Sequence, residues 1–567
     1  MAQLIRDEIA ALIRQGIRAA QAAGDLPAFD VAEIPVERPK VAAHGDYSTG
    51  VSMGLARFAT LRAKPIEVAQ RIAAHLPTAG MIGRVEAVLP GYINFTLSDA
   101  WLASQVETIL SQGEAWANVD VGHAARVQVE FVSANPTDEL TIGSARNAAI
   151  GDTLASVLQA AGYAVEREYY INDAGSKIRK FGQTIYARYA QAIRYDEPLP
   201  EEYYPGQSLI EMGHQLAAEY GDKFLAMPRE QAVDELTRIG VGWLMDGIRQ
   251  ELERMNVHMD TWFSEKSLYT SGLFERVFKM LQDKGLTLEK DGAVWFAAQE
   301  LGEDKDAVLI RSADVIPDPE DRPTYLASDV AYVWNKLVER KFEKAIYVWG
   351  ADHHGDKPRV LAAARALGLD PSKVVIILYQ LITLKRGGEV VRMSKSSGQF
   401  VTAREVVDEV GSDAVRFMML TRSADSTMDF DLELAKQQSS ENPVYYVQYA
   451  HARIASILKK AKAEGFSEQG GDVSLLATPG DLSLIRKMLE LREIIVKCAN
   501  DLTPHHLPHY AQDLAATFHA FYRDCRVVSS LPEDAGLTRA RLKLVMAAKI
   551  VLARTLHLMG MNAPESM

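Results

Sequence analysis

Two hydrophobic patterns divide this chain. Between Arg126 and about residue 436, short apolar runs such as "RVQVEFV", "AIYVWG" and "VVIILYQ" alternate with helical stretches, whereas beyond residue 436 apolar positions recur almost only at helical spacing. Short apolar runs bounded by turn formers read as buried strands, and their alternation with helices predicts a parallel sheet covered by helices. After the first strand, Leu154, Val157, Leu158 and Ala161 fall at i, i+3, i+4 and i+7, and Gly162 supplies the stop. The first 115 residues form their own alternation, with a helix over Pro65–Leu76 and two strands in "VEAVLPGYINFTLS" that turn at Pro90–Gly91. A charged, largely helical stretch from about 190 to 300 reads as an insertion within the sheet domain. Leu484, Met488, Leu491 and Ile495 make one apolar stripe and predict a helical bundle. The expected organisation is an α+β domain over 1–115, an α/β parallel-sheet domain over 116–435 and an all-α bundle over 436–567.

Composition narrows the class. A length of 567 residues exceeds one ordinary core, so several domains are expected, and 48% hydrophobic with 24% charged residues allows the whole length to fold. The N-terminal segment carries Arg6, Asp7, Glu8, Arg14 and Arg18 through its apolar positions, so it predicts an amphipathic helix and not a signal peptide. No run of about twenty apolar residues occurs, so no membrane span is expected. Cys498 and Cys525 are too few for a disulfide framework or a four-cysteine zinc site, and a reducing cytoplasm fits them. The net charge of −13 argues against a uniformly basic nucleic-acid binder, yet residues 436–567 hold 16 Lys and Arg against 13 Asp and Glu. If phosphates are approached, that part is the better suited.

Two segments concentrate chemistry. In "VEFVSANPTDELTIGSARNAAIGDTL" a buried strand ends in a polar loop and enters a helix beginning near Gly143 and Ser144. Such a loop lies where open α/β sheets bind ligands, and the helix start offers unpaired amides to a phosphate, with Gly143 allowing close approach. In "GGEVVRMSKSSGQFVT", Lys395 stands among Ser394, Ser396, Ser397 and Gly398, a polar loop able to bring one cation to a leaving pyrophosphate. Adjacent His353 and His354 point in divergent directions and have no suitably spaced third ligand, so no zinc is expected.

The two segments, in this order, resemble the paired signatures of class I aminoacyl-tRNA synthetases. "FVSANPT", "EREYYINDAG", "TYLASDVAY", "YVWGADHHG", "DEVGSDAVRFMML" and "NPVYYVQYAHARI" are similar to blocks of the arginyl-tRNA synthetase family, as are "HGDYSTGVSMGLA", "PGYINF" and the closing "HLMGMNAPESM". The resemblance implies a Rossmann-like catalytic domain, an N-terminal domain that touches the tRNA elbow and a C-terminal anticodon-binding bundle. It implies activation of arginine by ATP to arginyl-adenylate and pyrophosphate, then transfer to the terminal adenosine of the tRNA, with activation dependent on tRNA. Magnesium is expected with ATP, and the protein is expected to act as a cytoplasmic monomer.

The same resemblance assigns residues. Lys395, Thr141 and Ser144 are expected to be catalytic, and Ile142, Gly143, Gly350, Asp352, His353, Met393, Ser394 and Lys395 to contact ATP. Glu130, Ser133, Asn135, Tyr325, Asp329 and His353 are expected at the arginine. Tyr325 and Asp329, spaced i, i+4, should share a helix face, with Asp329 holding the guanidinium through charge-assisted hydrogen bonds. Tyr92, Asn94 and Phe95 are expected at the tRNA elbow and Tyr446, Tyr449 and Arg453 at the anticodon, although aromatic residues at such spacings also serve as core. The sequence departs from the family at Thr141 and Ser144, where the signature carries histidines, and at Arg392, where it carries lysine. Hydroxyls donate with shorter reach and no charge. A tRNA-binding paralogue impaired in adenylation is therefore the alternative, and a general nucleotidyltransferase, which needs no helical C-terminal domain, is a more distant one.

Overall fold

The computed structural model describes residues 4–31, 33–57, 63–137, 139–316, 318–319, 322–391 and 401–567. Near the N-terminus, β1 (Tyr47–Thr49), β2 (Ile82–Val88) and β3 (Tyr92–Leu97) form an antiparallel sheet with β3 central, covered by the helix Pro65–Ala74, against which the helix Ile5–Ala22 packs. The turn expected at Pro90–Gly91 joins β2 to β3.

The next strands are β4 (Arg126–Glu130), β5 (Ala164–Ile171) and β6 (Thr261–Ser264). A small antiparallel sheet of β7 (Thr287–Lys290), β8 (Ala293–Phe296) and β9 (Ala307–Ile310) follows, and then come β10 (Lys344–Gly350) and β11 (Val374–Tyr379). Strands β4, β5, β6, β10 and β11 make one parallel sheet in the order β11-β10-β4-β5-β6. In this doubly wound arrangement the chain leaves β4 toward one edge and later returns on its other side, so a crevice opens between the carboxyl ends of β4 and β10. Three further strands, β12 (Ile382–Arg386), β13 (Glu389–Val390) and β14 (Met428–Asp431), form a third small sheet beyond β11.

The stretch expected as one insertion differs from that reading. Helices Ser176–Ala192, Gln207–Tyr220 and Arg229–Arg254 lie between β5 and β6, but β6 returns to the parallel sheet before the chain leaves again into β7–β9. Two excursions flank a core strand of only four residues, too short to announce itself as a period. The stripe through Leu484, Met488, Leu491 and Ile495 is buried throughout, yet it spans two helices, Pro479–Leu489 and Leu491–Asp501. With helices Pro443–Ala463, His506–Asp524 and Ala535–Leu558 these build the C-terminal bundle.

Helix Ile142–Ala160 lies tight against the end of β4. A side-chain carbon on Gly151 would stand 2.2 Å from the Phe131 ring, so a residue that weakens helices by roughly 1 kcal/mol is required in mid-helix. Asp152 of the same helix binds Arg416, whose guanidinium also donates to the carbonyls of Met255 and Met559. Arg416 thus joins the sheet domain, its helical excursion and the C-terminal tail. The N-terminal domain meets the bundle through ion pairs of Arg38 with Glu493 and of Arg486 with Asp46, each 2.7 Å.

Candidate active site

The crevice is built around the end of β4. Val132 and Ser133 both have positive φ, 67° and 42°, conformations that a β-branched residue in particular adopts only under constraint. The constraint is visible. Asn147 accepts from the Val132 amide at 2.8 Å and donates to the Val348 carbonyl of β10 at 2.9 Å, which clips the two strands across the crevice. The Tyr169 hydroxyl donates to the Ala134 carbonyl at 2.9 Å, and Ser133 Oγ accepts from the Tyr170 amide at 3.1 Å. Ser133 therefore fixes the loop through its hydroxyl, while Asn135 is exposed at the rim. Sequence reasoning passed over Asn147, because its role depends on the neighbouring strand.

Above this loop stands the start of helix Ile142–Ala160. Thr141 caps it, accepting from the Ser144 amide at 3.3 Å, with the two hydroxyl oxygens 3.3 Å apart. The Ile142 side chain is buried, so it offers a ligand only its backbone, and Gly143 faces open space apart from a Thr141 contact. The first amides of a helix lack intrahelical partners and favour anions. Thr402 pairs with Thr141 as a β-bridge, and the Ala403 amide donates to the Leu140 carbonyl at 2.7 Å. The chain that closes the second signature is thereby fastened to the first. Met393, Ser394 and Lys395 themselves lie outside the described residues.

The opposite wall is a cluster of acids and tyrosines from β4, β5, the segment after β6 and helix Tyr325–Trp334. Glu130 is buried and bound at 2.5 Å by Lys336. Glu168, also buried, accepts from Tyr332, Gln128 and Arg340. Asp329 is half-buried, and its carboxyl is held well above the usual range, first by burial and then by repulsion from Glu130, Glu265 and Asp356. Glu265 is pushed up to about 7 by burial, reinforced by Asp173 and opposed by the Ser328 hydroxyl that donates to it at 2.6 Å. The Tyr170 hydroxyl also faces Glu265 and helps to hold its charge, whereas the Tyr347 hydroxyl is buried without a hydrogen-bond partner. A buried hydroxyl is costly to leave unpaired. Tyr325 stands at the mouth, half-exposed, with the Lys177 ammonium 5.2 Å from its ring centre. Glu265 escaped the sequence reading because no local pattern sets it beside Asp329.

The remaining expected residues fall in three places. Gly350 ends β10, and Asp352 and His353 follow on an exposed turn, where His353 Nδ1 is 3.2 Å from Asp356. On the bundle, Tyr446, Tyr449 and Arg453 do share a surface. Arg453 donates to the Tyr449 hydroxyl at 2.8 Å and lies 4.7 Å from that ring's centre, while His519, 5.0 Å from the Tyr446 ring, and Tyr522 of the neighbouring helix complete the group. In the N-terminal domain, Phe95 is core and Asn94 is buried with its amide oxygen accepting from Ser48 at 2.8 Å. Neither has a face open to a base, which corrects their expected contact with RNA; of that trio only Tyr92 is partly exposed.

Comparison with known proteins agrees with this geometry. Residues 105–456 match the catalytic domain of class I tRNA synthetases of the arginine type, residues 6–97 the arginyl-tRNA synthetase N-terminal domain, and residues 447–567 the DALR anticodon-binding domain. The doubly wound sheet, with its crevice beneath a helix start, is thus that of a class I aminoacyl-tRNA synthetase. An arginine–tRNA ligase of Dehalococcoides mccartyi is 47% identical over 563 residues, covering 99% of each chain, and one of Carboxydothermus hydrogenoformans is 44% identical over 568 residues, covering 100% of this chain and 99% of the relative. The arginyl-tRNA synthetase structure from Thermus thermophilus superposes with a TM-score of 0.75 at 24% identity over the whole of both chains, a likeness of fold. The chain belongs to the arginyl-tRNA synthetase family, and its activity is that of a class I arginine–tRNA ligase. Nothing found favours the alternative of a paralogue without adenylation.

Proposed function

We propose that the acid-walled crevice seats arginine, with its guanidinium on Asp329 and Glu265 and the Tyr325 hydroxyl at the mouth. The observation that carries this reading is a pair of carboxylates on one wall, Asp329 and Glu265, with no cation of the protein bound to either among the described residues. A planar cation with paired donors is the ligand such a wall fits. Ser133 and Asn135 then lie at the end where the α-amino and carboxylate groups must emerge. Glu130, expected among the arginine contacts, is engaged by Lys336.

ATP, brought in as its magnesium complex, sits against the helix start at Thr141–Ser144 with Gly350, Asp352 and His353 across the crevice. An arginine carboxylate oxygen attacks the α-phosphorus, the bond to the β-phosphate oxygen breaks, and pyrophosphate leaves. The Ile142 and Gly143 amides and the two hydroxyls donate to the phosphate oxygens, and Lys395 neutralises the departing charge, with Met393 and Ser394 beside it at the ATP. A hydroxyl of the terminal adenosine of the tRNA then attacks the acyl carbon and releases AMP. The aromatic and cationic surface of Tyr446, Tyr449 and Arg453 suits splayed anticodon bases, and Tyr92 suits the elbow. The chain works as a cytoplasmic monomer, in keeping with two buried, unpaired cysteines and with the absence of any membrane-length apolar helix among the described residues.

The test is arginine-dependent ATP–pyrophosphate exchange with and without tRNA. Exchange that requires tRNA supports the whole reading. Tight tRNA binding with neither exchange nor charging would overturn it.

A further inference from the structure

Lys336 has no part in that reaction scheme, yet it is the most deeply buried ammonium beside the pocket. Helix Tyr325–Trp334 does not end at Trp334 but runs on into a π-helical turn, Asn335–Glu339. Such turns are uncommon, cluster at functional sites and change the face on which side chains emerge. Here the turn directs Lys336 inward, with no exposed surface, to meet Glu130 Oε2 at 2.5 Å. The ammonium is flanked by two ring faces, 3.6 Å from the centre of Tyr347 and 3.9 Å from that of Tyr332. Burial pushes Lys336 down and Glu130 up, and their attraction opposes both. The two ring faces and the nearby Glu168 further favour the charged amine.

Pairing up the charges shows what this does. Glu168 and Glu166 share Arg340, and Asp356 lies 3.2 Å from Arg359, while Asp173 beside Glu265 is engaged by the Ser264 hydroxyl at 2.6 Å and the Lys266 amide at 2.9 Å; with Glu130 held by Lys336, the crevice carboxylates left with neither a cation nor such a hydroxyl-and-amide pair of donors among the described residues are Asp329 and Glu265. We propose that Lys336 is a positioning residue for the substrate: by neutralising Glu130 it confines the unmatched negative charge to Asp329 and Glu265, and so fixes where the guanidinium seats. Without it, the crevice would hold a third bare carboxylate and a second register for a cationic side chain. This rests on the reading of the crevice as the arginine pocket.

The test is a double-mutant cycle read in arginine kcat and KM by charging assays. Lys336→Met frees Glu130 as a competing seat, and the unproductive register should lower arginine kcat and KM together by roughly tenfold, the effect of one nearby charge in a partly screened site, with ATP KM little changed. Glu130→Gln leaves Lys336 unpaired beside the guanidinium seat and should raise KM by a similar factor. Lys336→Met with Glu130→Gln removes both charges and should recover to within about threefold of the parent, because the coupling is electrostatic. A packing role for Lys336 would not be rescued in this way, since glutamine does not refill the space between the tyrosines. If Lys336→Met fails to fold, the Glu130→Gln variant and the double variant decide alone: a double variant no better than Glu130→Gln overturns the proposal. Asp329→Asn serves as the control for the pocket. An unchanged arginine KM there overturns the pocket itself, whereas a raised KM there with no rescue in the cycle overturns only the role of Lys336.

Discussion

The crevice cluster and the bundle cluster are both built from tyrosines and charged groups, and they differ in which charge is left over. In the crevice, Glu130, Glu168, Lys336, Tyr332 and Tyr347 are buried, Lys336 and Arg340 are committed to carboxylates, and among the described residues no cation is bound to Asp329 or Glu265. On the bundle, Tyr446, Tyr449 and Arg453 are half-buried, and Arg453 rests on tyrosine rings and the Tyr449 hydroxyl with no acid among the described residues bound to it in an ion pair. A dry surplus of negative charge selects one small cation in one pose. A wet surplus of positive charge beside aromatic faces holds a polyanion with stackable bases, through many weaker contacts. On the proposed reading, the same residue types serve a small substrate or a nucleic acid according to burial and to the sign of the remainder.

The hardest blow to this contrast is Asp329→Asn. It keeps the shape and removes the charge, and one-sided loss of a desolvated charge partner costs about 3–4 kcal/mol. Arginine kcat/KM in charging assays should fall by roughly a hundred- to a thousandfold, with tRNA affinity by filter binding unmoved. A loss of less than about tenfold would remove Asp329 from the guanidinium seat. Next in size is Lys395→Ala, expected to lower kcat about a hundredfold while arginine KM stays near its parent value, as for loss of a donor that acts on developing charge. An unchanged kcat would exclude Lys395 from the chemistry.

The sequence was informative where function follows from a local run and silent where it follows from convergence. "RVQVEFV" reads as a strand because its apolar run is continuous, and Asp329 and Tyr325 share a helix face because four residues make about one turn. Glu265 is different. It follows a four-residue strand and reaches Asp329 only because β6 occupies the sheet edge. Lys336 is hidden by a different cause, since helical periodicity assumes an unbroken α-helix and the π turn shifts every later residue. Phe95 and Asn94 show the reverse error, in which a motif match suggested contact, whereas β3 is the central strand of its sheet and both side chains, on its opposite faces, are buried.

On the bundle, Arg453→Ala and Tyr449→Ala should each raise the KM for tRNA by about tenfold, the scale of one lost base–aromatic or cationic contact, without moving arginine KM. The contrast sharpens with salt. The KM for tRNA should climb steeply as ionic strength rises, whereas arginine KM should change little, because the crevice charges are shielded from counterions. An arginine KM that tracks salt as closely as the tRNA does would mean that the crevice is as wet as the bundle surface.

The smallest effect, and the most direct on the unmatched acids, is with pH. Burial holds Glu265 near pH 7 in the free protein, and Asp329 is raised in the same direction. A carboxyl whose folded value lies above its unfolded one binds its proton more tightly in the folded state, so its stabilising contribution is complete below the unfolded value and is lost as pH rises through the folded value. From Glu265 alone, the substrate-free protein should therefore lose stability between about pH 4.5 and pH 7. Arginine has the opposite preference, since its guanidinium pairs with the ionised carboxylate, so binding must drive protons off and weakens as pH falls. The rise in Tm that a fixed arginine concentration produces should accordingly be larger at pH 8 than at pH 6, by a few degrees at most, and Glu265→Gln should narrow that gap. Equal increments at both pH values in the parent protein would mean that these acids are already ionised before arginine arrives, and the crevice would then differ from the bundle in charge sign but not in dryness.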